Sequence, residues 1–405
     1  MVGRKLLAAL LAATSSTATP ILKRDFAYGS TPVRGVNIGG WLLLEPYLTP
    51  SIFEPFGGSV VDEYTFTQNV ANAGDILQSH WDSWVSLEDF QKLANNGFNL
   101  VRIPIGYWAF QKYPGDPYIQ GAADYLEKAI GWARQTGLVV SIDLHGAPLS
   151  QNGFDNSGQR TSDPGWTRDT TVDVTLDVIG IISRKYATSE YSDVVAAIEL
   201  INEPVVTSLD GGKDAVVSYY QRGFDIVRSS GQTPVVISDG FDNPSEWNGI
   251  LTSQGAIVDH HYYHSFGPVH LSYDEHVQAV YSDAETWARG QDKLVVVGEW
   301  SGAMTDCAPF LNGVGYGARY DGTYFKQNPD GTYTTSEYIG SCAIRNHIEQ
   351  WDDGLRAATH AYLAAQLDVY ENQAQGSIFW NFKTEGAAEW DLFRLIDYGV
   401  WPGFN

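Results

Sequence analysis

Two glutamates in this 405-residue chain directly follow apolar segments, where a carboxylate is costly to bury. Glu203 lies in the segment Ile201–Pro204, and Glu299 lies in Val297–Trp300. A pair of carboxyl groups can hydrolyse a glycosidic bond, because one protonates the leaving oxygen while the other attacks the anomeric carbon or activates water. A glutamate near a helix start is the alternative reading of each motif. The interpretation therefore depends on where the fold places the pair.

Short β-rich apolar segments alternate along the chain with longer segments of helical spacing, which is typical of a parallel sheet with crossover helices. The eight β-rich segments are Arg34–Gly39, Phe98–Pro104, Leu138–His145, Val195–Asn202, Pro234–Asp239, Ala256–Tyr263, Leu294–Glu299 and Ser377–Phe382. The helical segments include Leu87–Asn95, Ala123–Thr136, Asp173–Tyr186, Ala215–Ser229, Tyr273–Arg289 and Leu355–Tyr370. A doubly wound open sheet and a closed (β/α)8 barrel share this alternation.

The ends of the β-rich segments distinguish these two folds. Six segments finish on functional groups, namely Arg102, His145, Asn202, His261 with Tyr263, Glu299 and Trp380. A closed barrel brings all strand ends to one mouth, whereas an open sheet spreads them along an edge. We therefore predict one α/β domain, a (β/α)8 TIM barrel. Two long connections, Trp41–Ser86 and Trp300–Gln350, should shape its mouth.

The predicted barrel makes the two glutamates a facing pair, because strands four and seven lie across the mouth from each other. Glu203 and Glu299 would then reach the roughly 5–5.5 Å separation of retaining glycosidases. Asn202 before the first glutamate and Trp300 after the second fit a sugar ligand. Sugars are bound through hydrogen bonds to their hydroxyls and through stacking of aromatic rings on their C–H faces.

At these residues the chain resembles glycoside hydrolase family 5, and within it the fungal exo-β-1,3-glucanases. The resemblance covers essentially the whole chain after the N-terminal leader, and it rests on Arg34–Pro46, Val101–Trp108, Asp143–Pro148, Ser150–Gly158, Asp259–Tyr263, Gly298–Ser301, and Phe379–Trp380 with Lys383–Glu385. It implies a retaining exo-β-1,3-glucanase with Glu203 as the acid/base and Glu299 as the nucleophile.

The resemblance also implies roles for further residues. Arg102 would stabilise the charge of the nucleophile, and Asn202 would hold the sugar 2-hydroxyl. Trp380 would form the floor beneath the cleaved glucose. Phe154 and Phe266 would form an aromatic pair at the entrance. The other predicted substrate contacts are Glu45, His145, Asp155, Asn156, His261 and Tyr263.

The proposed chemistry carries expectations about protons and metals. The acid must be protonated before attack and lies near a second carboxylate, so we expect a raised pKa for Glu203 and highest activity at acidic pH. Histidines at strand ends are also compatible with a metal site. No carboxylate–histidine ligand spacing supports one, so no metal and no cofactor are expected.

The leader and the net charge indicate an exported protein with an uncharged ligand. Residues 1–20 have the layout of a secretory signal peptide, and a dibasic Lys23-Arg24 would end a propeptide at 21–24, leaving a catalytic barrel at 25–405. Residues 1–24 carry four basic and no acidic residues, so their removal changes the net charge from −23 to −27 (−23 minus 4). This charge disfavours nucleic acid and anionic membranes as partners. We expect a secreted or wall-associated monomer that binds β-1,3-glucan.

The only two cysteines, Cys307 and Cys342, are expected to form a disulfide in an exported protein, with two buried thiols as the alternative. The motifs also leave related activities open, namely an endo-glucanase, a 1,6- or 1,4-specific enzyme, or a transglucosylase. A non-catalytic glucan-binding wall protein is a further alternative. Such a protein would be expected to lack one of the carboxylates or Arg102.

Overall fold

Eight parallel strands form a closed barrel in the computed structural model, which describes residues 26–252, 255–328 and 330–404. In order around the barrel they are β1 (Val33–Asn37), β2 (Leu100–Gly106), β3 (Val139–Gly146), β4 (Val195–Glu199), β5 (Val235–Ser238), β6 (Ala256–His261), β7 (Leu294–Glu299) and β10 (Gly376–Phe379). The barrel is confirmed. The predicted signal peptide and propeptide lie outside the described residues.

Helices connect the strands as the apolar spacing predicts. They are α1 (Pro50–Phe53), α2 (Glu63–Asn69), α3 (Ala73–Ser83), α4 (Leu87–Asn95), α5 (Ala122–Thr136), α6 (Thr171–Tyr186), α7 (Gly212–Ser230), α8 (Tyr273–Trp287), α9 (Asp353–Gln373) and α10 (Leu392–Asp397). The start of α4 shows why a helix begins there, because the Ser86 hydroxyl accepts from the Asp89 amide while the Asp89 carboxylate accepts from the Ser86 amide. None of the described helices is long and apolar enough to cross a membrane.

Alternation of side chains along the strands builds the barrel interior in layers. One layer takes an apolar residue from every strand, and its members are Val33, Leu100, Val139, Ala197, Val236, Ile257, Val296 and Ile378. Two residues further along three of these strands, the same face carries Arg102, Glu199 and Asp259. A polar layer of side chains therefore lies directly above this apolar layer.

Three strands do not end at the polar residue that the sequence predicted as their last. Arg102 is the third residue of the seven-residue β2, so it lies inside the barrel rather than at its rim. Strand β4 ends at Glu199, which places Asn202 and Glu203 in the following loop. Trp380 lies just beyond β10 and precedes a cis peptide bond to Asn381.

Both long connections leave carboxyl ends of strands. The first, after β1, contains α1, α2 and α3. The second, after β7, contains the hairpin strands β8 (Phe325–Gln327) and β9 (Tyr333–Thr335). The predicted disulfide is confirmed in this second connection, where Cys307 and Cys342 have Cα atoms 5.2 Å apart.

Candidate active site

A single buried guanidinium, that of Arg102, lies at the centre of the site and is 1% exposed. It donates from Nη1 to Glu299 Oε1 at 2.9 Å and from Nε to Glu199 Oε2 at 2.8 Å. Asp143 Oδ2 lies 3.1 Å from Nη2, and Asp259 Oδ2 lies 3.6 Å from Nε. Four carboxylates from four different strands therefore converge on one cation, which satisfies a charge that would otherwise be costly to bury.

The two predicted catalytic carboxylates are close together at the mouth. A carboxylate oxygen of Glu203 lies within 4.8 Å of one of Glu299, and the residues are only 5% and 4% exposed. Glu203 has a left-handed backbone with φ 44°, and its amide donates to Ser238 Oγ at 3.2 Å. Strained backbone of this kind persists where the surroundings hold it, often at functional sites.

One histidine links the pair. His261 Nδ1 lies 2.8 Å from Glu203 Oε1 and 3.4 Å from Glu299 Oε2, while its Nε2 lies 3.2 Å from Asp259 Oδ2. A Cβ atom added at Gly298 would lie 1.9 Å from Asp259 Oδ1, so only glycine before the nucleophile leaves room for this aspartate. The glycine of the Gly-Glu-Trp motif therefore makes room for the Asp259 side chain beside β7.

The pKa directions in the site follow from this contact pattern. Burial alone would lower the pKa of His261, but the carboxylates of Glu299 and Asp259 hold it well above its ordinary value. Burial alone would raise the pKa of Glu203, but the hydrogen bond and charge of His261, together with the charge of His145 and the hydrogen bond of Asn156, lower it. Burial raises the pKa of Glu299. The predicted raised pKa of Glu203 is therefore wrong, because His261, whose own pKa is raised, lies 2.8 Å from it.

The floor of the site is built by residues that the sequence indicated. Asn202 accepts from Arg102 Nη2 at 2.9 Å and approaches His145 Nε2 at 3.4 Å. His145 is held by Asp143 at 2.6 Å, and its ring stacks on Trp380 with centroids 5.6 Å apart. Tyr263 donates its hydroxyl to Glu299 Oε2 at 2.9 Å. The nucleophile thus receives hydrogen bonds from two sides.

The far side of the pocket carries a third carboxyl, that of Glu45. A tight turn holds it, because its carbonyl oxygen accepts from the amides of Leu48 and Thr49 at 3.1 and 3.2 Å. Burial and the carboxylates of Glu299, Asp155 and Glu203 raise its pKa well above the ordinary value. Its Oε1 is buried and has no partner among the described residues. A buried, unpartnered carboxyl oxygen is ready to bond a ligand hydroxyl.

Aromatic side chains surround the entrance. Phe154 and Phe266, the predicted entrance pair, are both exposed. Phe266 packs edge-on against Tyr263 at 5.9 Å, and Phe154 packs against Phe241 at 6.3 Å between centroids. Next to Phe154, Asn156 donates to Glu203 Oε2 at 2.7 Å.

Asp155 also lies at this entrance, between Phe154 and Asn156, and is partly buried. Burial raises its pKa to about 7, against the charge of nearby Arg160. Hydrogen bonds and ring contacts therefore link most of the predicted site residues to Glu203 or Glu299, directly or through one neighbour.

Sequence reasoning missed several residues that complete the site. The missed partners of the Arg102 guanidinium are Asn37, Asp143, Glu199 and Asp259. The missed aromatic residues, which contact Trp380, Phe154 and Tyr263, are Tyr47, Phe241 and Trp390. A signal existed for Glu199, which interrupts an apolar strand two positions after inward-facing Ala197. Asp143 lies two positions before His145 and Asp259 lies directly before His260, both within the matching segments named above.

The fold also creates a potential metal-binding set that chain spacing did not indicate. One ligand-type atom each from Glu203, His261 and Glu299 lies within 4.8 Å of the others. Two features oppose a cation there. Arg102 already places a positive charge 2.9 Å from Glu299, and both ring nitrogens of His261 contact carboxylates. The arrangement is better suited to proton transfer between hydrogen-bonded groups.

Comparison with known proteins agrees with this geometry. The profile of the cellulase family, glycosyl hydrolase family 5, matches residues 68–328. The chain is 44% identical over 403 residues to a glucan 1,3-beta-glucosidase of Lachancea kluyveri, covering 94% of this chain and 88% of that protein. It is 42% identical over 439 residues to glucan 1,3-beta-glucosidase I/II of Saccharomyces cerevisiae, covering 98% and 95%.

A solved structure extends the likeness to the fold. The crystal structure of rutinosidase from Aspergillus niger superposes with a TM-score of 0.73 at 21% identity, covering 92% of this chain and 98% of that one. The barrel, the buried carboxylate pair and the long matches to relatives lead to one conclusion. The chain belongs to glycosyl hydrolase family 5.

Proposed function

We propose that this protein is a retaining exo-β-1,3-glucanase that releases glucose from the non-reducing ends of β-1,3-glucan. The observation that carries the proposal is that one carboxylate oxygen of Glu203 lies within 4.8 Å of one of Glu299, with His261 in contact with both groups. Inverting enzymes need a wider gap of about 6.5–9.5 Å for a water molecule. The choice of β-1,3-glucan is supported by the names of the two relatives, both glucan 1,3-beta-glucosidases.

In the first step, Glu299 attacks the anomeric carbon of the terminal glucose as the bond to the leaving oxygen breaks. Glu203 gives its proton to that oxygen, and a glucosyl ester forms on Glu299. Before attack, the proton shared across the 2.8 Å contact between His261 and Glu203 must lie on Glu203. A neutral sugar that fills the pocket removes remaining water and so favours the neutral pair over the ion pair.

In the second step, Glu203 acts as a base. It takes a proton from water, the water oxygen bonds to the anomeric carbon, and the ester bond to Glu299 breaks to release glucose with retained configuration. Arg102 and Tyr263 hold the nucleophile through hydrogen bonds of 2.9 Å each. Asn202 is placed to bond the sugar 2-hydroxyl, and Trp380 to support the ring.

The enclosure of the pocket favours removal of one terminal glucose. Both catalytic carboxylates are at most 5% exposed, and Glu45 lies buried beyond them in the long connection after β1. An enzyme that cuts within chains needs an open groove through which the polymer can pass. We propose Glu45 as the residue that binds hydroxyls of the terminal glucose.

The mechanism uses side chains alone and has no step for a metal or cofactor. We propose a secreted or wall-associated monomer, with the signal peptide at 1–20 and the propeptide at 21–24 removed.

Matched variants of the two glutamates should behave differently. Glu299→Gln should abolish hydrolysis of every β-glucoside, because no other group forms the ester. Glu203→Gln should slow laminarin hydrolysis by about 10²–10⁴-fold but retain much of the first step on 2,4-dinitrophenyl β-glucoside, whose leaving group needs no proton. Rates on both substrates are measured by product release. Equal losses for the two variants on both substrates would contradict the assignment.

The mode of attack predicts the early products. Laminarin digested to low conversion should give glucose alone, because only the chain end reaches the buried carboxylates. Product chromatography at several early times measures this, with a laminarin oxidised at its non-reducing ends as the resistant control. A ladder of oligosaccharides would show endo action instead, and longer products would show transfer to sugars.

The contact between Asp259 and His261 should set the pH range of hydrolysis. Asp259 favours the protonated imidazole, which in turn lowers the pKa of Glu203. In Asp259→Asn the pKa of His261 should fall, so Glu203 should keep its proton to higher pH. The alkaline limb of the kcat/KM profile should therefore move to higher pH, as measured on p-nitrophenyl β-glucoside.

A buried aspartate–histidine pair beside the site provides the matched control. Asp239 lies 2.5 Å from His260 and makes no hydrogen bond to His261 or to either catalytic carboxylate, although its charge is felt at His261, so Asp239→Asn should move the profile less than Asp259→Asn does. If Asp259→Asn only lowers the rate without moving the profile, Asp259 has a structural role and the proton assignment is wrong.

A further inference from the structure

An exposed aromatic pair lies on the β8–β9 hairpin. Phe325 is 53% and Tyr333 is 54% exposed, and their rings stack with centroids 4.8 Å apart. The strand register pairs Phe325 with Thr335 and Gln327 with Tyr333, so these four side chains share one face of the hairpin. The same connection exposes further large apolar side chains, Tyr338, Ile339 and Ile344. Such a concentration on one surface segment indicates a binding surface.

The opposite face of the hairpin connects it to the mouth of the pocket. Lys326 lies on that face, with its Nζ 5.7 Å from the centroid of the Tyr316 ring. The guanidinium of Arg160 lies 5.1 Å from the same ring, and Arg160 donates to the Val314 carbonyl at 2.9 Å. Arg160 belongs to the loop after β3 that contributes Asn156 to the acid/base. The hairpin is therefore continuous with the entrance loop.

The chemistry of the outer face fits an uncharged carbohydrate. Flat aromatic rings stack on the C–H faces of sugars, and the Gln327 amide and Thr335 hydroxyl can bond sugar hydroxyls. Residues 325–335 carry one lysine and one aspartate, so the segment is neutral within a chain of net charge −23. This neutrality disfavours nucleic acid or a strongly charged protein as the ligand.

We infer that Phe325 and Tyr333 form an auxiliary glucan-binding platform outside the catalytic pocket. The platform holds a distant part of the same β-1,3-glucan chain whose non-reducing end occupies the pocket. This inference rests on the proposed function. Because the second contact is intramolecular once the chain end is bound, the platform strengthens binding of long chains and leaves small substrates unaffected.

Stacked rings also stabilise a short hairpin, and that role must be separated from ligand binding. A cross-strand aromatic pair stabilises the pairing of the two strands. Loss of this stabilisation would act on every substrate alike if it disturbed the entrance. Loss of a platform acts on long chains alone, so substrate length distinguishes the two roles.

The test compares Phe325→Ala/Tyr333→Ala with two control variants. Tyr281→Ala removes another exposed ring, on α8 at the outside of the barrel, and Tyr333→Trp keeps a flat ring on the hairpin. The double variant should raise KM for laminarin and Kd for insoluble curdlan by about 3- to 10-fold. It should leave kcat/KM for p-nitrophenyl β-glucoside unchanged. Both controls should match the wild type.

Any of the following outcomes would contradict the proposed glucan-binding platform. Unchanged laminarin KM and curdlan binding in the double variant show that the rings do not bind glucan. Equal losses on laminarin and the aryl glucoside show a purely structural role. Conversion of a wild-type dimer to a monomer, seen by sedimentation, shows that the rings pair with a second copy. Failure of the proposed function is distinct from all of these, because the wild type itself would then not hydrolyse laminarin.

Discussion

The buried charge of Arg102 is the constraint on which the active site depends. An unpaired guanidinium on the apolar floor of the barrel would cost several kcal/mol, so carboxylates must approach it from the surrounding strands. Asp143 comes from β3, Glu199 from β4, Asp259 from β6 and Glu299 from β7. Satisfying one cation therefore fixes the relative positions of four strands at the level of the nucleophile, and leaves Glu299 held but reachable from the mouth.

The same network determines where protons are held. Asp259 approaches β7 closely only because Gly298 has no side chain, and from there it contacts His261. His261 in turn contacts Glu203, so a residue beneath the nucleophile influences the acid/base on the other side of the pocket. Catalysis by two carboxylates requires that their proton affinities differ. In this protein His261 favours the ionised form of both glutamates while burial raises the pKa of Glu299, so the proposed mechanism requires a proton to move from His261 to Glu203 once the sugar is bound.

Much of the fold followed from the sequence because strand and helix periodicities are local. The eight strands, the main helices and the disulfide were predicted, and so was the pairing of Glu203 with Glu299. The polar layer was incompletely predicted because it depends on contacts between strands. Arg102 was placed at a strand end although β2 continues past it, and the lowered pKa of Glu203 could not be seen without the position of His261. The hairpin platform likewise needed the register of β8 and β9.

The central claim is that this carboxylate pair works by double displacement with Glu299 as the nucleophile. The most direct measurement is mass spectrometry of the protein after reaction with 2-deoxy-2-fluoro-β-glucosyl fluoride, a reagent that forms the glucosyl ester quickly and hydrolyses it slowly. The account predicts one added fluoroglucosyl group, located by peptide mapping on Glu299. An unlabelled protein that still turns the reagent over, or a label on another residue, would contradict it.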